Sequence, residues 1–147
     1  MNPSEHIRKR RVVLGLADTE VAKRAGLSIY EYADIEQHAD ELATALSLKD
    51  ARHLCEILGL DLLLVLGVPT EDVEKMVHLQ KRNELIKCKR LELDFTVRDL
   101  AEHIGFDEQT VVNLESNPEH IDTLPAEIAM QIADQLKLPA SFLLLSK

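Results

Sequence analysis

Leu16-Ala17-Asp18-Thr19-Glu20-Val21-Ala22-Lys23-Arg24-Ala25-Gly26-Leu27-Ser28 is the stretch on which the fold turns, because Phe95-Thr96-Val97-Arg98-Asp99-Leu100-Ala101-Glu102-His103-Ile104-Gly105-Phe106-Asp107 repeats its pattern 79 positions later. In each, apolar residues at helical spacing lead to a glycine that can take the left-handed conformation and stop a helix. A residue able to cap the next helix follows, Ser28 in one case and Asp107 in the other. Two short helices joined by a glycine turn result, with Ala22 or Ala101 small enough for close packing where they cross.

The repeat extends outward from this stretch. At the same displacement Ile7 falls on Ile86, Arg8 on Lys87, Arg10 on Lys89, Arg11 on Arg90, Val12 on Leu91 and Leu14 on Leu93. Downstream, Tyr32 falls on Val111, Ile35 on Leu114 and Glu36 on Glu115; after one residue is dropped, Leu54 and Leu58 fall on Ile132 and Leu136. Two copies of one helical unit are the simplest explanation. Each copy reads as four helices plus a short fifth. In the first they are predicted at about residues 4–14 with Ser4 as cap, 19–25, 28–36 with Tyr32 and Ile35 inward, 50–58 and 62–66. Ile7, Arg11 and Leu14 are placed on one face of the first helix. In the second copy the helices are predicted at about 84–93, 97–103, 108–115, 125–136 and 140–144, with Thr96 and Asp107 as caps.

The chain has 147 residues, 46% of them hydrophobic and 3% aromatic, and a formal net charge of -9. The apolar content excludes a disordered chain, and the most apolar run, residues 58–68, carries Asp61 and falls short of the ~18 residues that span a bilayer. A membrane protein is therefore excluded. Arg8-Lys9-Arg10-Arg11 stands where a signal peptide needs apolar residues, which points to a cytoplasmic protein. Cys55 and Cys88 lie far apart without CxxC spacing and read as core or near-core thiols. The histidines, His6, His38, His53, His78, His103 and His120, show no metal spacing. No catalytic triad or phosphate-cradling glycine loop is discernible. Neither an enzyme nor a cofactor is expected.

The two quoted stretches, each followed by an Ile-Glu or Leu-Glu ending at Ile35-Glu36 and Leu114-Glu115, resemble the phage-repressor and Cro-like helix-turn-helix family, also called XRE. The resemblance implies an all-α fold of two tandem lambda-repressor-like helix-turn-helix domains, residues 1–68 and 81–147, joined by a connector at 69–80. It implies duplex DNA as partner and a third helix of each copy lying in the major groove. Its exposed positions would be Ile29, Tyr30, Glu31 and Asp34 in the first copy and Glu108, Gln109, Thr110 and Asn113 in the second. The implied DNA-contacting set is Ser28 and Tyr30 in the first copy, with Lys87, Lys89, Arg98, Gln109, Thr110 and Asn113 in the second. The resemblance further implies two architectural ion pairs, Arg11 with Glu36 and Arg90 with Glu115.

Amides match purine edges, and only the second copy offers them, so it is expected to be the better base reader. An acidic chain is a poor first guess for a nucleic-acid binder, but its charge is divided. Residues 1–24 hold six basic and three acidic groups, residues 81–98 again six and three, so each segment is +3 and the remainder is -15. The rival reading is a protein-interaction module whose acidic third helices have lost DNA. Leu62-Leu63-Leu64-Val65-Leu66 and Phe142-Leu143-Leu144-Leu145 hold more apolar side chains than one face can bury, the excess serving to seal the copies together or to form a homodimer or protein contact. The connector, with a helix start at Pro69-Thr70-Glu71-Asp72 and Val73, Met76, Val77 and Gln80 beyond it, is predicted to run into the next helix as a rod. Copies related by translation along such a rod would not present two-fold geometry to DNA.

Overall fold

The computed structural model describes residues 1–69 and 81–145. These residues form an all-helical structure with no strand. Its helices are α1 (Pro3–Val13), α2 (Asp18–Ala25), α3 (Ile29–Gln37), α4 (Glu41–Thr44), α5 (Leu48–Leu58) and α6 (Leu62–Leu66) in the first half. The second half has α7 (Arg82–Glu92), α8 (Val97–Ile104), α9 (Glu108–Ser116), the 3-10 turn η1 (His120–Thr123), α10 (Ala126–Leu136) and α11 (Ala140–Leu144). Displaced by 79 residues, α1, α2, α3 and α4 coincide end to end with α7, α8, α9 and η1; displaced by 78, α5 and α6 coincide with α10 and α11. The single-residue deletion thus lies in the short link after α4. Residues 70–80 of the 69–80 connector, with its proposed rod, lie outside the described residues.

Local chemistry accounts for the boundaries. Gly26 and Gly105 end α2 and α8 in the left-handed conformation, φ 72° and 74°. Ser28 caps α3 by accepting from the Glu31 amide at 3.1 Å, and Asp107 caps α9 by accepting from the Thr110 amide at 2.9 Å. Helix α1 differs from expectation at both ends. Asn2, not Ser4, is its cap: the Asn2 side chain accepts from the Glu5 amide at 2.9 Å while Glu5 accepts from the Asn2 amide at 3.2 Å, and Pro3 fits the first turn. Ser4 is buried and donates its hydroxyl to the same Asn2 oxygen. Leu14 follows the helix and is 41% exposed instead of sharing the buried face of Ile7. The short α4 and η1 were not foreseen, since each carries a single buried apolar anchor, Leu42 or Ile121, too little to make a periodic pattern.

The buried apolar residues of both halves join in one contiguous core. Ile7, Val21, Tyr32, Ile35, Leu54 and Leu58 fill the first half, and Ile86, Leu100, Val111, Leu114, Ile132 and Leu136 fill the same places in the second. Helix α11 buries Phe142, Leu143 and Leu144, whereas α6 buries Leu62, Leu63 and Val65 and turns Leu64 to solvent.

The halves meet symmetrically. Ser47 and Pro125, which hold the same place in the two copies, pair as an antiparallel bridge, and the Leu48 amide donates to the Leu124 carbonyl at 2.7 Å. Around this point α5 packs on η1, α4 packs on α10, and α5 packs on α10. Each of these helix contacts is matched by its repeat mate, the signature of an isologous interface and hence of an approximate two-fold axis through the bridge. One feature breaks the symmetry. Asp122 of η1 binds Arg52 of α5 and, through both carboxylate oxygens at 3.0 Å, the buried Arg82 of α7. The two arginines also reach the carbonyls of Leu144, Leu143 and Pro118.

Candidate nucleic-acid interface

Both third helices lie on the surface with their inner faces locked. In α9 Glu108, Gln109 and Val112 are exposed, whereas Thr110 and Asn113, expected among the exposed positions, are half-buried; Gln109 donates from its amide to the Asn113 side-chain oxygen at 3.1 Å, so the two amides stand together on adjacent turns. The Thr110 hydroxyl is spent on the cap, donating to Asp107 at 2.7 Å. These bonds and the Thr110 amide hold the Asp107 carboxyl below its ordinary range. Glu108, Gln109 and Asn113 are therefore the outer polar side chains of α9 that make no bond to the helix backbone, Glu108 and Gln109 exposed and Asn113 half-buried.

Helix α3 presents a different surface. Tyr30 is 81% exposed, with Glu31 and Asp34 also outward. Ser28 and Glu31 are tied to each other's backbone in a capping box, so Ser28 offers little beyond its cap. Ile29, expected among the outward positions, is partly buried against the core.

The ion pairs sit beneath these helices. Arg11 Nε donates to Glu36 Oε1 at 2.9 Å, and Arg90 holds Glu115 through two bonds at 2.7 and 2.9 Å. Each arginine also donates to a backbone carbonyl at the start of the following turn, Leu16 at 3.1 Å or Phe95 at 2.8 Å. Burial pulls the Arg11 guanidinium down, but the bond and charge of Glu36 outweigh it and hold it above its ordinary value. The Glu115 bonds do the same for Arg90 against the pull of burial. These four side chains pin the first helix to the third and are unavailable to a ligand.

The basic segments are less free than their +3 totals imply. Arg10 donates to the Leu58 carbonyl at 2.8 Å, closing the end of α5, while Arg82 is buried with Asp122. Arg24 pairs with Glu20, Lys89 with Glu92 and Arg98 with Glu102. Lys87 is exposed and, with Arg8, Lys9, Lys23 and Lys81, has no ion pair with another described residue. The Arg98–Glu102 pair is 76% and 65% exposed, and such pairs are worth no more than about 1 kcal/mol, so a phosphate can displace the glutamate.

Sequence reasoning missed Arg52, Arg82 and Asp122. Their repeat mates are Met130, Pro3 and Ala43, so no repeated pattern marks them. A groove of about 390 Å³ borders this cluster, lined by Lys49, Arg52, Asn117, His120 and Asp122 among others. Among the described residues no group of three His, Cys, Asp or Glu is placed to hold a metal ion, and no helix is long and apolar enough to cross a membrane.

No family model, no curated protein and no solved structure matches the chain.

Proposed function

We propose that the chain is a DNA-binding transcriptional regulator of the repressor and Cro-like helix-turn-helix type, built as two tandem copies, with the second copy as the base reader. The observation that carries this reading is α9: it follows α8 across a left-handed glycine turn and carries the bonded amides of an exposed Gln109 and a half-buried Asn113 on adjacent turns. Asn and Gln can each bond both the donor and the acceptor of an adenine edge in the major groove. Lys87, Lys89 and Arg98 supply backbone contact, the last two by exchanging surface carboxylates for phosphates. Labelled duplex DNA, genomic fragments included, titrated with the chain across a salt series is the direct test. Affinity is expected to fall steeply with salt, because each neutralised phosphate releases counterions. Absence of binding at about 50 mM salt refutes the reading.

A second reading is favoured by α3. An aromatic ring that is 81% exposed beside Glu31 and Asp34 suits a basic protein partner better than a phosphate backbone. In that reading the chain is a helix-turn-helix interaction module that does not bind DNA, and the same titration separates the two.

A further inference from the structure

The relation between the halves decides what kind of DNA site the chain can fill. Ser47 and Pro125 occupy one place in the repeat and pair with each other antiparallel, and α5 on η1 is answered by α4 on α10. Identical places can face one another only across a two-fold axis; copies related by translation would instead join unlike surfaces head to tail. A rotation of 180° leaves the component of any direction along its axis unchanged. Whatever α3 presents along the dyad, α9 therefore presents on the same side. Both helices also lead directly into the interface, α3 packing on α4 and α9 on η1. Duplex DNA has its own dyads, perpendicular to its axis, which exchange its strands. A body with this symmetry meets it with the two dyads aligned. The surface of the first half that meets a symmetry mate, α4, α5 and Ser47, is covered by η1, α10 and Pro125 of the same chain.

The readers at matching places are unlike. Gln109 and Asn113 of α9 stand where Tyr30 and Asp34 stand in α3. Amides favour adenine, whereas a carboxylate only accepts and favours the amino group of cytosine. We infer that a single chain occupies a site of two inverted, unlike half-sites and lies on it in one orientation. This rests on the DNA reading proposed above.

The test is selection from a pool of random duplexes with the full-length chain at low salt, followed by stoichiometry on the recovered sequence. Expected are two different motifs in inverted orientation, their centres a whole number of turns of ~34 Å apart, with one chain per duplex. Turning one motif to a direct repeat, or replacing it by a copy of the other to make a perfect palindrome, is expected to weaken binding about tenfold or more. Gln109→Ala should relax base preference in one motif and leave the other unchanged. Recovery of direct repeats, of a lone half-site, or of a palindrome bound by two chains overturns the inference while leaving the DNA reading standing. If no sequence is enriched and the input pool itself is not bound at low salt, the DNA reading fails and the inference with it.

Discussion

Replacing Asp122 with alanine should test the charge cluster at the junction of the halves, where Asp122 holds Arg82 of its own half and Arg52 of the other. The Arg82 side chain is 1% exposed and holds Asp122 through two bonds of 3.0 Å, with the Leu143 and Pro118 carbonyls as its further acceptors at 3.1 Å. Asp122→Ala leaves a buried guanidinium with carbonyl dipoles but no counter-charge, and Arg52 loses its partner as well. Breaking a buried pair from one side costs about 3–5 kcal/mol, and the surviving carbonyls put this case near the lower end, about 3 kcal/mol. At roughly 2–4 °C per kcal/mol for a chain of this size, the melting temperature should fall by about 6–12 °C. Thermal unfolding followed by far-ultraviolet circular dichroism, repeated as a urea titration, measures it. Asp122→Asn, which keeps an acceptor but not the charge, should fall between. Arg52→Met places at this site the residue that Met130 supplies in the other half, and because Arg52 is more exposed than Arg82 its loss should stay under about 2 kcal/mol. An Asp122→Ala protein that melts within about 1 °C of the wild type would refute the reasoning, since no buried charge would then have been stranded.

Glu115→Ala should destabilise more than Glu36→Ala, within about 3–5 kcal/mol, because the Arg90 pair is bidentate and more deeply buried; paired thermal melts rank them. Gln109→Ala or Asn113→Ala should relax base preference by about 1–3 kcal/mol, whereas Lys87→Ala should weaken all duplexes alike and lower the salt slope by about 1, both read from competition titrations. The depressed Asp107 carboxyl stabilises α9 at pH values above the ordinary aspartate range, near 4, and that contribution disappears as pH falls through its lower folded value. Asp107→Asn should therefore flatten the acid limb of a stability-against-pH curve while leaving the helix capped; an unchanged acid limb refutes the assignment. Burial pushes the Cys55 thiol up to about 12, so at neutral pH a thiol reagent should modify it only at the rate of unfolding, as followed by mass spectrometry in native and denaturing buffer.

Much of the local structure was legible in advance because its causes are local. Gly26 and Gly105 stop helices through their own backbone freedom, and Ser28, Thr96 and Asp107 cap them through bonds to residues three positions on. Buried positions such as Tyr32, Ile35, Val111 and Leu114 follow from helical spacing, and the repeat doubles each signal. Cap identity was misread at Ser4, where Asn2 two residues earlier made the better-placed acceptor with Glu5 as its reciprocal partner. The pairing of Arg11 with Glu36 and Arg90 with Glu115 came from family resemblance, since residues 25 apart leave no periodic trace.

By itself, the amino-acid sequence determined an all-helical chain in two matching copies, the ends of most helices, and which copy carries amides on its outer helix. Only tertiary structure decided how the copies face each other and which charges are free. The dyad at Ser47 and Pro125 joins places 78 residues apart, and a repeat in sequence is equally compatible with translation, rotation or independence of its copies. The formal +3 of each basic segment likewise counted charges without their partners. Once Arg10, Arg11, Arg82 and Arg90 are drawn inward to carbonyls and carboxylates, the field available to a phosphate comes from the exposed cations that remain, among them Lys87, Arg8 and Lys9. That distribution depends on burial, which no count of residues contains.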